Sequence, residues 1–342
     1  MMINNSHSSP NLRSVAIIGS GLAGLTAALL LQKTGRRVTV FEKSRGPGGR
    51  LAAKRVEGGS ADIGAQYFTI RNPGFQQFLD ENAGTDSYAS WNGHFGYQVA
   101  PEQWEPFPDE ARYVGVPRMT AITRALSEKA TVIAQTRIAR LETANHGAWT
   151  LVSTDDERFG PFDAVVITAP PAQAQDLLTD SQLVTLAAEL DEPVRHVQPC
   201  WAVAAHFSHP PFDQYDGMRV QSDILSWAGN NSSKPGRDDA GQWWVLHATS
   251  AWSRANVDTP AEQVASDMIR EFQDATGSRQ QPDKLLTHRW LYAKSSDSDT
   301  PGHRWFPDQR IGLAGDWLSG GRVEGAFNSA SGLVDEMGIL SD

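Results

Sequence analysis

The sequence predicts an α/β protein: a doubly wound, Rossmann-like dinucleotide-binding domain joined to a second domain of mixed α+β character. Three observations carry this expectation. A strand–GxGxxG–helix–strand unit opens the chain, a second glycine-rich segment carrying an arginine follows it, and a late strand stops at Gly-Asp before a glycine-rich helix start.

The first unit is read as follows. Ser14–Gly19 (SVAIIG) is an apolar run that stops at glycine, the pattern of a buried strand. Gly19, Gly21 and Gly24 form the fingerprint. Gly19 permits the tight turn, Gly21 lets the backbone approach a pyrophosphate, and Gly24 lets the following helix, Leu22–Lys33, pack closely on the strand. That helix presents N–H groups and partial positive charge to the pyrophosphate. The second strand, Arg37–Glu42, ends in a carboxylate 18 positions after Gly24, placed to accept bonds from the adenosine ribose hydroxyls.

The fingerprint alone does not choose between NAD and FAD. Ser44–Arg50 (SRGPGGR) then offers a second close backbone approach at Gly49, with Arg50 as a cationic clamp. In Asp62–Phe68 (DIGAQYF), a Gly-Ala step flanked by Gln66 and Tyr67 suits a backbone lying against a flat ring. At the far end, Ile311–Asp316 is a strand ending in Gly315-Asp316, and Gly320–Ala326 leads into a helix over Ala326–Met337.

This order resembles the FAD-binding pattern of flavin amine oxidase-type proteins. SRGPGGR, DIGAQYFT, WAGNNSSKPGR, WWVLHATSAWS, HRWLYA and GDW–GRVEGA, in sequence, resemble more narrowly the bacterial branch of the renalase family, from about Val15 to the last helix. The resemblance implies an amine oxidase/PHBH-type FAD domain. It implies cofactor contacts at Gly19, Gly21, Ala23, Gly24, Glu42, Lys43, Gly49, Arg50, Gln66, Tyr67, Ile138, Gly315, Asp316, Val323, Glu324 and Ala326. It further implies oxidation of 2- or 6-dihydroNAD(P) to NAD(P)+, with O2 reduced to hydrogen peroxide, and a substrate face lined by Asn231, His247 and Trp290. Taken without the resemblance, a strand histidine or tryptophan is more often core. A second reading is an amine oxidase or desaturase on the same fold, and a third is a non-catalytic flavin-binding regulator.

The expected organisation is discontinuous. Residues 12–72, 114–192 and 306–342 would form the FAD domain, residues 73–113 and 193–305 the substrate domain, and 1–11 a disordered tail. A helix is expected at Met119–Glu128 and strands at Thr131–Leu141 and Ala164–Ala169. In the second domain, strands are expected at Cys200–Phe207, Gln242–Ser250 and Thr287–Ala293, with an amphipathic helix at Ala261–Ala275. Strand alternation puts His247 and Thr249 on one face with Trp243 and Val245, and His288, Trp290 and Tyr292 on one face of the next strand. Lys234, Arg237, Arg254 and Arg289 are cations able to hold a substrate pyrophosphate, though each taken singly reads as a solvated charge.

Composition narrows the classes. The 342 residues carry 30 Lys and Arg against 40 Asp and Glu, a net charge of −10 that argues against gripping nucleic acid. One cysteine, Cys200, excludes an intrachain disulfide and a multi-cysteine metal site, and no cysteine lies near the C-terminal flavin motif, so FAD is expected to be noncovalent. His206-x-x-His209 has no evident third ligand, so no metal is expected. Residues 1–13 are polar and the longest apolar run has ten residues, so a cytoplasmic protein with no membrane partner is expected.

Overall fold

The computed structural model describes residues 12–100, 103–238, 240–295 and 302–338; the expected tail at 1–11 lies outside them. The chain forms two compact units, residues 1–47, 126–195 and 298–342, and residues 48–125 and 196–297. This moves the expected boundaries. Residues 48–72 and 114–125 pack in the second unit because Asp62 and Gly115 are bonded to side chains there. The strand His303–Phe306 joins the first because it pairs with Ile311–Ala314.

The first unit is a six-stranded sheet in which Ile311–Ala314, Ala164–Ile167, Ser14–Ile18, Arg37–Phe41 and Val132–Ile133 run parallel. The antiparallel His303–Phe306 forms one edge. Period-two alternation divides the first strand between two cores. Ala16 joins Leu313 and Trp317 on one face, while Val15 and Ile17 join Ala27, Leu31 and Leu333 on the other. The first helix occupies Leu22–Lys33, as the sequence predicts.

Two elements differ from expectation. The stretch expected as one strand over 131–141 is two, Val132–Ile133 and Ile138–Thr143, in different sheets. Between them the Gln135 and Thr136 N–H groups donate to Ser44 O at 3.0 Å and Glu42 O at 2.8 Å, which bends the chain away. The last helix is Val323–Glu336, starting three residues early. Glycine's poor helix propensity points to a start after Gly325, yet the Ala326 N–H reaches Arg322 O at 3.3 Å and already encloses it.

The second unit is a seven-stranded, mainly antiparallel sheet. Its strands lie in the order Lys284–Ser295, Val197–Phe207, Gln242–Ala248, Leu225–Asn230, Gly217–Arg219, Phe95–Ala100 and Gln103–Pro106. The helix Ala261–Thr276 covers one face, burying Val264, Met268 and Phe272 against Val203, Phe207, Trp244 and Leu246. The other face carries Ala202, Ala204, Trp243 and Val245, crossed by Ala61 and Ile63. Among the described residues, no helix is long and apolar enough to cross a membrane.

Candidate functional site

In the first unit the parallel strands deliver Gly19, Glu42, Thr168 and Gly315 to the same edge of the sheet, their carboxyl end, where doubly wound proteins bind nucleotides. The glycines there divide by role. A Cβ on Gly24 would stand 2.0 Å from Gly19 O, so close packing of helix on turn forbids it. A Cβ on Gly21 would meet nothing within 4 Å: that glycine faces open space, as a position approached by a ligand requires. The first helix has no side-chain cap and no acidic residue in its first turn, so its positive end suits an anion. The last helix also lacks a side-chain cap at Arg322, but its first turn carries the acidic Glu324.

Glu42 accepts from the Ser20 N–H at 2.9 Å, the Ser20 hydroxyl at 2.7 Å and the Ser44 N–H at 2.8 Å. It therefore clamps the fingerprint turn. Lys43 donates to Gln173 Oε1 at 2.7 Å, and the Gly315 N–H donates to Ser329 Oγ at 2.9 Å. Ala23 and Ile138 are buried in the two apolar cores. Asp316 is buried, with its carbonyl accepting from the Ser319 and Gly321 N–H groups, and Val323, Glu324 and Ala326 form the first turn of the last helix. These residues fit a dinucleotide such as FAD. The remaining expected cofactor residues, Gly49, Arg50, Gln66 and Tyr67, belong to the second unit.

There the backbone of Ser60–Gln66 is the organising feature. The Ile63 carbonyl accepts from both His247 Nε2 and Trp290 Nε1, each at 3.0 Å. Asn231 accepts from the Asp62 N–H at 3.1 Å and donates to Ser60 O at 2.9 Å. The structure gathers these three side chains around one backbone segment, but Asn231 is fully enclosed with both ends of its amide bonded to backbone. It therefore positions the segment instead of lining an open face. Gln66 is also committed, donating to Gly64 O at 3.1 Å and to Asp62 O, and accepting from Lys234 Nζ at 3.4 Å, so its amide does not face outward. Tyr67 packs on Trp227, with ring centroids 5.5 Å apart. Gly64 is needed for close approach: a Cβ there would stand 2.1 Å from Arg50 O.

Beneath this segment lies an ionic cluster that sequence reasoning missed. Asp62 Oδ2 meets Lys234 Nζ at 3.2 Å and Arg237 Nη2 at 2.5 Å, and Asp62 Oδ1 accepts the Met119 N–H at 3.0 Å. That last bond occupies a free N–H at the start of the helix Thr120–Glu128, one residue later than the expected Met119. The three charged side chains are at most 2% exposed, so Lys234 and Arg237 are neither solvated charges nor surface clamps. Burial alone would raise the Asp62 carboxyl; Lys234 and Arg237 outweigh it and hold the group below its usual range. Burial lowers the Lys234 ammonium to about 8 against the pull of Asp62. Lys234 also lies 5.2 Å from the centre of the Trp91 ring. Of the other two candidate cations, Arg289 sits over Trp201 and Arg254 is exposed.

Burial, reinforced by Lys294, lowers His247 to about 3, so the imidazole is neutral at physiological pH. With Nε2–H given to Ile63, its Nδ1 is an acceptor. His288, edge-on to Trp290 with ring centroids 4.6 Å apart, is also lowered, by burial and then by Lys54. Thr249, expected beside His247, instead accepts from the Trp252 N–H and caps a helix, Ser250–Ala255. His206 gives its ring to Ala240 O and Asp283.

The parallel sheet, the fingerprint turn and the cap-free helix starts define a dinucleotide-binding α/β protein. Residues 17–81 match the NAD(P)-binding Rossmann-like domain, and residues 105–336 match the flavin containing amine oxidoreductase family. The chain belongs to that family, a family of FAD-dependent oxidoreductases. Among its relatives, putrescine oxidase of Kocuria rosea is 28% identical over 52% of this chain and 39% of its own length. The 1-hydroxycarotenoid 3,4-desaturase of Flavobacterium sp. (strain P99-3) is 48% identical over 17% of this chain and 12% of its own length. The matched stretches thus span well under half of these relatives. Cyclohexylamine oxidase from Brevibacterium oxydans IH-35A shares the fold with a TM-score of 0.69 at 12% identity, over 95% of this chain and 98% of its own. An oxidoreductase from Methanosarcina mazei does so with a TM-score of 0.71 at 14% identity, over 94% of this chain and all of its own.

Proposed function

We propose that the protein is a renalase-type oxidase that holds FAD noncovalently and oxidises 2- or 6-dihydroNAD(P) to NAD(P)+. FAD, when bound, supplies the two-electron acceptor and passes the pair to O2, which with two protons becomes hydrogen peroxide. The dihydropyridine gives up a hydride and becomes a pyridinium, so no base need remove a proton. That suits a second-unit site whose histidine is already neutral and whose carboxylate is locked between two cations.

The observation that carries this reading is the sign of the local field. Among the described residues, Lys234 and Arg237 share the single carboxylate of Asp62, which leaves that buried cluster one positive charge to spare. A net positive site favours an anionic dinucleotide and opposes a protonated diamine. His247 and Trp290 fix the Ile63 carbonyl and orient the face on which a flat nicotinamide would lie. In the first unit, Gly21 and the two helix N-termini would meet the anionic parts of FAD, and Glu42 its ribose.

Amine oxidation is the second reading, favoured by the match to putrescine oxidase over half of the chain. Anaerobic mixing of the yellow protein with borohydride-reduced NAD isomers, and separately with putrescine and other amines, tests both. Rapid bleaching by the isomers alone supports the proposal, and bleaching by amines alone overturns it. Acid precipitation that leaves the yellow colour in solution is the outcome expected of noncovalent FAD.

A further inference from the structure

The sheet of the second unit carries a second set of side chains on the face that bears His247. Cross-strand pairing puts His247 opposite Trp227, and Trp227 opposite Arg219. Directly paired residues share a face, so these three form one row across neighbouring strands. Arg219 is exposed and lies over the ring of Phe107 at 5.4 Å. Phe107 in turn lies 6.3 Å from Trp227 and 6.3 Å from Phe95, stacked on the latter. Beside Phe95 and Phe107 is a cavity of about 370 Å³, also lined by Arg112 and Asp109.

Arg112 is an unusual lining residue. It is 8% exposed, stands 4.6 Å and 5.1 Å from the Phe95 and Phe107 ring centres, and its Nε finds no hydrogen-bond partner among the described residues. Its other nitrogens donate to the Glu110 and Pro108 carbonyls, which fixes the guanidinium against both rings. Such a platform accepts a further aromatic plane. The cavity lies within the range of ligand pockets and has room for one nucleoside. It lies beyond His247 by three strand spacings, roughly 14 Å at 4.8 Å per strand. An extended dinucleotide covers such a span through its pyrophosphate, and Arg219 stands between the two ends.

We propose that this row and cavity hold the adenosine diphosphate half of the dinucleotide. Arg219 takes the pyrophosphate, Phe107 and Arg112 stack on adenine, and Asp109 accepts from ribose or amino hydrogens. The inference rests on the dihydronicotinamide reading, and its test is chosen to fail separately. ADP is titrated into the FAD-loaded wild type and the Arg219→Ala and Phe107→Ala variants by calorimetry, with circular dichroism verifying the fold. Binding to the wild type that weakens tenfold or more in Arg219→Ala supports the site. No binding, or equal binding by both variants and the wild type, overturns it. In parallel, dihydronicotinamide dinucleotide and mononucleotide are compared as reductants of the wild type. A KM at least tenfold lower for the dinucleotide, reduced in Arg219→Ala, supports the site, and equal KM values overturn it. Bleaching by neither removes the hydride-donor reading, while the ADP titration still decides the site.

Discussion

Replacing Asp62 by Asn leaves Lys234 and Arg237 as two buried cations with no anion between them. Removing one partner of a buried pair costs about 3–5 kcal/mol, and here one carboxylate serves two partners, so the loss at neutral pH belongs in that range. Lys234 modulates it. Its ammonium falls from 10.5 to about 8, and at 1.36 kcal/mol per unit the buried charge itself costs about 3 kcal/mol relative to the unfolded chain. The unfolded state therefore binds more protons between pH 8 and 10.5, and wild-type stability rises with pH through that window. Asp62 acts at the other end: its depressed carboxyl contributes stability above its unfolded value that is lost as pH falls through its folded value. Lys234→Met, which keeps the Asp62–Arg237 pair, should cost under about 1.5 kcal/mol, and Asp62→Asn/Lys234→Met should recover part of the loss of Asp62→Asn alone. Urea unfolding followed by tryptophan fluorescence is the assay, since eight of the eleven tryptophans lie in the second unit. A loss below about 1 kcal/mol for Asp62→Asn, or strict additivity in the double variant, would refute the cluster's role.

Four further outcomes are expected. Gly21→Ala should unfold at the wild-type midpoint while retaining less FAD, whereas Gly24→Ala should lower both, as thermal melts and the flavin content of the purified proteins will show. Trp290→Phe removes one of the two donors to Ile63 and should cost about 0.5–1.5 kcal/mol in urea unfolding while slowing flavin bleaching. His247, depressed to about 3, should add no limb to the rate profile between pH 5 and 8; its contribution to stability is complete above pH 6.5 and is lost as pH falls toward 3, a component that His247→Gln should lack in pH-dependent unfolding. Cys200, buried and pushed from 9.0 to about 11, should react with iodoacetamide at neutral pH at least about 100-fold more slowly than in the denatured chain.

The first unit was legible because its signals are local. An apolar run ending at glycine, a spaced fingerprint and a terminal carboxylate specify turn, helix and strand within one stretch of chain. The second unit was legible in its strands and in which residues share a face within one strand, since alternation determines facing there; that His247 and Trp290 meet depends on strand pairing, which no local pattern states. It was not legible in its charges. Lys234 and Arg237 lie more than 170 positions from Asp62, and nothing in the composition near either end indicates burial. The same holds for Asn231, whose amide reads as a ligand-facing group until Ser60 and Asp62 are seen to occupy both ends. The split of 131–141 failed for a related reason, because the backbone acceptors that bend it belong to Glu42 and Ser44.

The pairing order of the first sheet has a bearing on biosynthesis. Val15 must await Ala164, and Val165 must await Ile311, before either register can close. Emerging from the ribosome, the first strand is thus made early and flanked on both sides only once Ala164–Ile167 has followed. Until Ala164–Ile167 emerges, about half-way along the chain, the first strand has only the neighbouring Arg37–Phe41 to lean on, an interval in which chaperone capture would matter most, and a premature stop just upstream of 311 would leave the sheet without its last-made strand.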